Sequence, residues 1–357
     1  MKAIIIVGIT ILSLNVSAQS KLNTLPDLPG YITLKGDFHV HTDFSDGTVW
    51  PTIRVDEAVR EGIDIIAITD HVEYRPHKDF MKDPSHNVSY NIAFPYAKDR
   101  NVILVKGVEI TRPMPTGHLN CLFVTDVDKL TDPDFMKVME EANRQGALVF
   151  WNHPGWKTQQ PDGIPKFHPV HEELLKKGWL HGVEFYNTKG NYGYVLDWCA
   201  QRNLTVFSNS DVHIAVSDFW QLSEGEVRPV TLVFAKERNM EGVKDALKNG
   251  RTLALFHGDS LGGKKEWAEA FFRNSIKIEA PHSEDKDVVW VQVINKGSVP
   301  FRLKNMNEEQ EPKQIYIRPN AVTLIRVSKN SPATHKFIVG NILVGDKKSL
   351  EVELKLK

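Results

Sequence analysis

The chain has 357 residues, 44 Lys+Arg against 45 Asp+Glu, a formal net charge of −1, and 41% hydrophobic and 25% charged residues. This balance excludes a disordered chain and a broadly basic binder of nucleic acid or membrane surfaces. Two cysteines exclude a disulfide-stapled scaffold or a Cys-rich zinc module.

In chain order, Lys2, the apolar run 3–14 and Val16-Ser17-Ala18 form the three parts of a secretory signal over residues 1–18. The mature chain is therefore expected to be exported by a bacterium, periplasmic or secreted, with no membrane-spanning segment. In that compartment Cys121 and Cys199 could pair. An irregular lead-in covers 19–30. Strands are then predicted over 31–41, 63–69, 102–110, 119–125, 147–151, 182–186, 205–208, 229–234 and 252–256. Helices are predicted over 53–60, 133–144, 171–177, 194–202 and 240–248, with Gly62, Gly146 and Gly250 as stop signals. This alternation predicts an α/β domain over 31–265, with a mainly parallel sheet that could close as a barrel. The Gly- and Lys-rich stretch 258–265 reads as a linker. From 275 to 357 short alternating runs (276–279, 288–294, 301–303, 314–317, 322–327, 336–339, 350–356) between Gly and Pro predict a small, sandwich-like β domain.

Of the 14 histidines, eleven fall between His39 and His213. Histidine is the commonest metal ligand. His39-Val40-His41 ends the first strand, and residues i and i+2 share a side, so both imidazoles can reach one ion. Alone, this motif is weak. The surroundings strengthen it: Asp46-Gly47 in the next loop, Asp70-His71 after an apolar strand, and Glu109 between apolar neighbours. A lone buried carboxylate is costly, so Glu109 must face solvent, pair or bind metal. Gly117-His118, Asn152-His153-Pro154 and Asp211-Val212-His213 likewise sit at strand ends, where sites form in α/β barrels. A set this rich in His, Asp and Glu suits two or three divalent ions such as Zn²⁺, Mn²⁺ or Fe²⁺.

The ordered set His39-x-His41, Asp46-Gly47, Asp70-His71, Glu109, Gly117-His118, Asn152-His153-Pro154 and Asp211-x-His213 resembles the polymerase and histidinol phosphatase (PHP) superfamily, over roughly residues 30–260. The resemblance implies a distorted seven-stranded (β/α) barrel with a metal site at its strand ends. It implies His39, His41, Asp46, His71, Glu109, His118, His153, Asp211 and His213 as ligands, with Glu109 bridging two ions. Where some members have a histidine just after the HxH turn, this chain has Asp46, one residue closer. The implied activity is hydrolysis of a phosphate ester, monoester or diester, by a metal-activated water. Related metal barrels cleave amides and cyclic esters, and a non-catalytic metal-containing binder is a third reading. The expected partner is a small phosphorylated molecule rather than nucleic acid. Asp70 is expected to orient a ligand imidazole from behind. Arg75, His77, His86, Lys157, Glu184 and Asn187 are expected to line the substrate pocket, with Trp156 and Tyr186 nearby.

Overall fold

The computed structural model describes residues 24–357; the signal segment expected over 1–18 and the first part of the lead-in lie outside them. The first strand, β1 (Ile32–Val40), leads to α1 (Pro51–Glu61), which has Pro at its first position and stops at the left-handed Gly62. There follow β2 (Ile65–Ile68), α2 (Val88–Asp99), β3 (Ile103–Thr111), β4 (His118–Leu122), α3 (Phe135–Arg144), β5 (Leu148–Trp151), α4 (Pro169–Lys176) and β6 (Gly182–Asn187). The domain continues through β7 (Gly190–Asn191), α5 (Tyr194–Arg202), β8 (Thr205–Asn209), α6 (Val216–Phe219), β9 (Val230–Ala235), α7 (Met240–Lys248), β10 (Thr252–Phe256), β11 (Ser260–Gly262) and α8 (Lys265–Ser275).

Strands β1, β2 and β3 pair in parallel, β3–β4 and β4–β5 antiparallel, and β5–β6 and β6–β8 in parallel. The ring returns from β8 to β1 through an isolated bridge between Val40 and Val212, with Asp211 N donating to His39 O and His41 N to Val212 O. These seven strands make a distorted barrel, which β9 and β10 extend antiparallel from β1. The sheet is thus mixed rather than mainly parallel. The reason is steric: residues 112–117 between β3 and β4 are too few for the crossover that parallel neighbours need.

Leu34, Phe38, Ile65, Ala67, Val105, Leu122, Leu148, Phe150 and Phe207 fill the barrel, with Phe150 and Phe207 stacked at 4.2 Å. The outer faces of the strands pack on the helices: Ile66 and Leu104 with Val55 and Ala93, Val108 and Val149 with Val138 and Leu174. Cys121 and Cys199 lie in that second layer, both buried and both free thiols, so they do not pair.

Helices α2 and α8 have no counterpart in the sequence pattern as read. The first carries Pro95 in its interior, which ordinarily ends a helix. The stretch 258–265 is not a linker. It contains β11, whose Leu261 pairs in parallel with Ile342, so the sheet of the barrel domain runs into that of the next. Its glycines permit close packing, since a Cβ at Gly262 would overlap the Phe185 ring.

The C-terminal domain comprises β12 (Ile276–Ile278), β13 (Ser283–Glu284), β14 (Val288–Asn295), β15 (Phe301–Asn305), β16 (Gln314–Ile317), β17 (Ala321–Ser328), β18 (Thr334–Gly345) and β19 (Lys348–Lys355). β14 pairs with β12, β13 and β17, while β15, β16, β18 and β19 form the facing sheet. Alternation decides which face is buried: Leu350, Val352 and Leu354 point inward while Glu351 and Glu353 are exposed. Among the described residues, no helix is long and apolar enough to cross a membrane.

Candidate metal centre

The pairing of β1 with β2 slips between Asp37 and Val40. Before the slip Phe38 points into the barrel. After it Val40 packs outside with Val212, Val216 and Trp220, and His39 and His41 turn to the barrel mouth. A bulge of this kind re-aims side chains beside a site. Two other residues at strand ends, His153 (φ 26°) and Asp211 (φ 52°), hold left-handed backbone that non-glycine residues rarely adopt. The glycine of Gly117-His118 has φ 73°, and a Cβ there would lie 2.8 Å from Trp151 Nε1.

The structure brings together all nine residues that the sequence groups. The Glu109 carboxylate, 1% exposed, is the hub. Its Oε2 lies 3.2 Å from His39 Nε2, 3.2 Å from His41 Nε2 and 3.1 Å from His71 Nδ1. Its Oε1 lies 3.0 Å from His118 Nδ1 and 3.5 Å from His153 Nε2. Asp211 Oδ1 meets the same His39 and His41 nitrogens at 3.1 and 3.2 Å. Asp46 Oδ1 lies 3.3 Å from His213 Nε2 and 3.5 Å from His71 Nε2. Three groups result, each close enough to share one ion: His39, His41 and Glu109; Glu109, His118 and His153; His41, Asp46, His71 and His213. Asp211 adjoins the first.

These donors are imidazoles and carboxylates without a thiolate, which suits divalent zinc, manganese or iron. Two buried atoms in the cluster, His41 Nε2 and Asp46 Oδ1, lie within 3.2–3.3 Å of facing site atoms without a well-aligned hydrogen bond. Poorly satisfied buried ligand atoms are what a cation would satisfy, so the residues fit the ions that the sequence implies.

The electrostatics agree. Burial opposes protonation of His39, yet Asp211, Glu109 and Glu184 outweigh it and raise its pKa well above the usual histidine range. Burial likewise opposes charge on His41, but hydrogen bonds to Asp211 and Glu109 take it up to about 9. Glu109 and Asp211 are pulled well below the carboxylate range against their burial, Glu109 by His71 and His39, Asp211 by His39 and His41. His71, for which burial dominates, falls to about 4. The cluster concentrates negative charge and draws in positive charge.

The residues expected to line the substrate pocket divide. Glu184 does not face substrate. Fully buried, its Oε1 accepts from His39 Nδ1 (2.9 Å) and Asn209 Nδ2, and its Oε2 from His153 N (2.7 Å) and Asn187 Nδ2. Asn187 is also buried and reaches Asp211 Oδ2 at 3.3 Å. Arg75 donates to Phe44 O and Pro84 O and lies beside His86, and His77 Nδ1 meets Asp43 O. These three brace the loop after Asp43 instead of entering the cleft. Lys157 is exposed, outside the cleft lining. Asp70 accepts from Thr42 N, Thr42 Oγ1 and Ser45 Oγ, and Ser45 Oγ lies 3.3 Å from His41 Nδ1. It reaches the imidazole only through Ser45.

Several contributors escaped the sequence reading. Thr111 Oγ1 lies 2.6 Å from His71 Nδ1, and Gln159 Nε2 donates to His118 Nε2 at 2.9 Å. Asn152, named in the sequence motif but without a role, donates from Nδ2 to Glu109 Oε1 at 2.8 Å. Buried Arg54 on α1 donates to His41 O, Val212 O and Ile214 O and pairs with Glu57. It ties together the two loops that carry His41 and His213. The signal for Arg54 was available: an arginine on the apolar face of a short helix must find partners. The open cleft, about 300 Å³, is walled by Trp156, Thr188 and Phe219 above the cluster.

Comparison with known proteins agrees with this geometry. A PHP domain model matches residues 37–151, and an Ig-like domain model, DUF5001, matches 276–355. The chain is similar to a solved two-domain protein from Bacteroides vulgatus containing a predicted PHP-like metal-dependent phosphoesterase. Identity is 38% over 93% of this chain and 97% of that one, with a TM-score of 0.88. An uncharacterized protein of Methanocaldococcus jannaschii is 24% identical over 50% of this chain and 82% of its own. A lesion-specific endonuclease from Pyrococcus furiosus is a more distant likeness, with 14% identity over 65% of this chain and 59% of its own and a TM-score of 0.41. With its ordered motifs gathered at a barrel mouth and an Ig-like domain following, the chain belongs to the PHP family.

Proposed function

We propose that the protein hydrolyses a phosphate ester at a centre of two or three divalent ions, Zn²⁺, Mn²⁺ or Fe²⁺. The ligands would be His39, His41, Asp46, His71, Glu109, His118, His153, Asp211 and His213. One observation carries this reading. His39 Nδ1 is engaged by the Glu184 carboxylate, so a neutral His39 donates there and points the Nε2 lone pair at Glu109 Oε2 and Asp211 Oδ1. Three acceptors converging at this range repel unless a cation lies among them. A proton on one nitrogen answers one such contact, but the same carboxylates also face His41, His71, His118 and His153.

Ions held there would lower the pKa of a bound water and neutralise phosphoryl oxygens. The protein's part is positioning. Glu184 fixes the His39 ring, Asn187 and the β1–β8 closure aim Asp211, and Asp70 holds the HxH loop through Ser45. Among the described residues no Lys or Arg lines the cleft, so positive charge for an anionic substrate would come from the ions. The relative from Bacteroides vulgatus, described as containing a predicted PHP-like metal-dependent phosphoesterase, supports the phosphate-ester reading.

The test is a substrate panel of phosphomonoesters, phosphodiesters, amides and cyclic esters, run with measured metal content. Phosphate-ester turnover by the loaded protein is expected. Turnover of amides or cyclic carboxylic esters alone would move the activity to another bond, and an inert, fully loaded protein would make it a binder.

A further inference from the structure

A second cavity of about 340 Å³ opens beside the metal cleft, and the two share Thr188 in their walls. Their linings are also adjacent in the chain: Phe219 faces the metal cleft and Trp220 faces the neighbour. Thr188 holds left-handed backbone (φ 55°), and its hydroxyl lies within hydrogen-bond range of Asn187 Oδ1 and Ser210 O. The partition between the cavities is therefore fixed to Asn187, which in turn touches Asp211. The Lys189 ammonium sits 5.1 Å over the Phe219 ring and 3.8 Å from Glu226. The volume lies at the lower end of the roughly 300–1,000 Å³ of ligand pockets.

The chemistry of the second cavity is selective. Glu224 and Glu226 line it, with Lys189 as the sole lysine or arginine among the described residues, together with Tyr186 and His257. Two carboxylates against one ammonium disfavour a second phosphate or another anion. A flat base has no open slot between ring faces. Phe256 is stacked on Tyr186 at 4.7 Å, and Trp220 is packed among Val40, Val212 and Val216. What remains is a set of ring edges surrounded by acceptors and donors: the carboxylates, the ammonium, and the Tyr186 hydroxyl beside His257 Nε2 at 3.3 Å. Carboxylates accept from hydroxyl groups and an ammonium donates to them, so the polar lining suits a ligand rich in hydroxyls.

We propose that this cavity takes the alcohol part of the substrate and that this part is a hydroxyl-rich, uncharged ring, a sugar or cyclic polyol. This rests on the phosphate-ester reading above, with the phosphate in the metal cleft and the polyol beyond Thr188. The bond that breaks is then the P–O bond to the polyol oxygen. Water supplies the oxygen to phosphorus, and the polyol leaves with a proton.

The experiment has two arms. In the first, kcat/KM is compared for glucose 6-phosphate, ribose 5-phosphate, inositol 1-phosphate and methyl phosphate, which has the same ester but nothing to fill the cavity. At least one polyol phosphate should exceed methyl phosphate by about tenfold or more. Glu226→Ala and His257→Asn, the latter compatible with left-handed backbone (φ 54°), should remove that advantage through KM and leave methyl phosphate unchanged. In the second arm, binding of glucose, ribose and myo-inositol is read by saturation-transfer NMR on the full chain, wild type and the Lys189→Ala/Glu226→Ala variant. Binding lost in the variant supports the cavity even if no phosphate ester turns over, which would then count against the phosphoesterase reading alone. Equal kcat/KM for polyol and methyl phosphates, or polyol binding that is absent or identical in the variant, overturns the proposal.

Discussion

Glu184 Oε1 lies 2.9 Å from His39 Nδ1, and neither side chain is exposed to solvent. The residues are 145 positions apart, on β6 and β1. The contact sets which ring nitrogen of His39 carries the proton and which faces Glu109 and Asp211. Carboxylate–histidine contacts of this type typically matter by 10–100-fold in metal affinity. Glu184→Gln is therefore expected to weaken metal binding by about 10–100-fold while preserving the fold. A competition titration with a chromophoric chelator measures it, and an unchanged affinity would remove Glu184 from the centre.

Glu109→Gln goes further, because Glu109 faces both the His39–His41 group and the His118–His153 group. Loss of more than one ion per chain is expected on elemental analysis, along with activity. Full occupancy in Glu109→Gln would show that this carboxylate bridges nothing.

Proton linkage follows from His41. In the metal-free protein its pKa of about 9 lies above the ordinary value of 6.5, through its hydrogen bonds to Asp211 and Glu109 against burial. Stability from this group is present in full below about pH 6.5 and is lost as pH rises through 9. Metal-free protein should therefore melt lower at pH 9 than at pH 6.5. Metal must displace that proton, so apparent affinity should rise about tenfold per pH unit per proton released, up to pH ~9. Indicator-dye measurement of proton release during metal titration at pH 7 checks this. No release would mean that His41 is already neutral.

Arg54 supports the centre mechanically. Arg54→Met leaves buried Glu57 without its guanidinium, with Val216 N as its remaining donor, and takes one donor from each of the His41, Val212 and Ile214 carbonyls. A loss of about 3–5 kcal/mol is expected in denaturant unfolding. A loss below about 1 kcal/mol, the level of an exposed ion pair, would mean that the network is dispensable.

Burial pushes the thiols of Cys121 and Cys199 up to about 12. Neutral, enclosed thiols are poor nucleophiles. Both should resist a thiol reagent at pH 8 in the folded protein and react fully on unfolding, and a disulfide in the purified protein would contradict the structure.

The sequence made most of the fold legible because periodicity is local. Helices α5 and α7 and strand β10 match their predicted ranges end to end. α2 was hidden by Pro95, and β11 by the glycines that allow Phe185 to pack against it. At the centre, motif order identified which residues gather, since each sits at a strand end or in the loop that follows one. It could not reveal the register slip in β1, because one displaced residue leaves no mark on composition. Nor could it separate Glu184 and Asn187 from pocket-lining residues. A polar group at a strand end can face substrate or stand behind a ligand, and the choice depends on a partner far along the chain. Arg75 and His77 misled for the same reason: their partners are the backbone oxygens of Phe44 and Asp43, which any residue offers.

The most direct test of the account removes and restores the metal. Protein stripped with a chelator should release no phosphate from an ester that the loaded protein hydrolyses. Stoichiometric Mn²⁺ or Zn²⁺ should restore release in the wild type and not in Asp211→Ala. Phosphate release that survives complete stripping, or that Asp211→Ala retains in full, would contradict the metal centre as the site of hydrolysis.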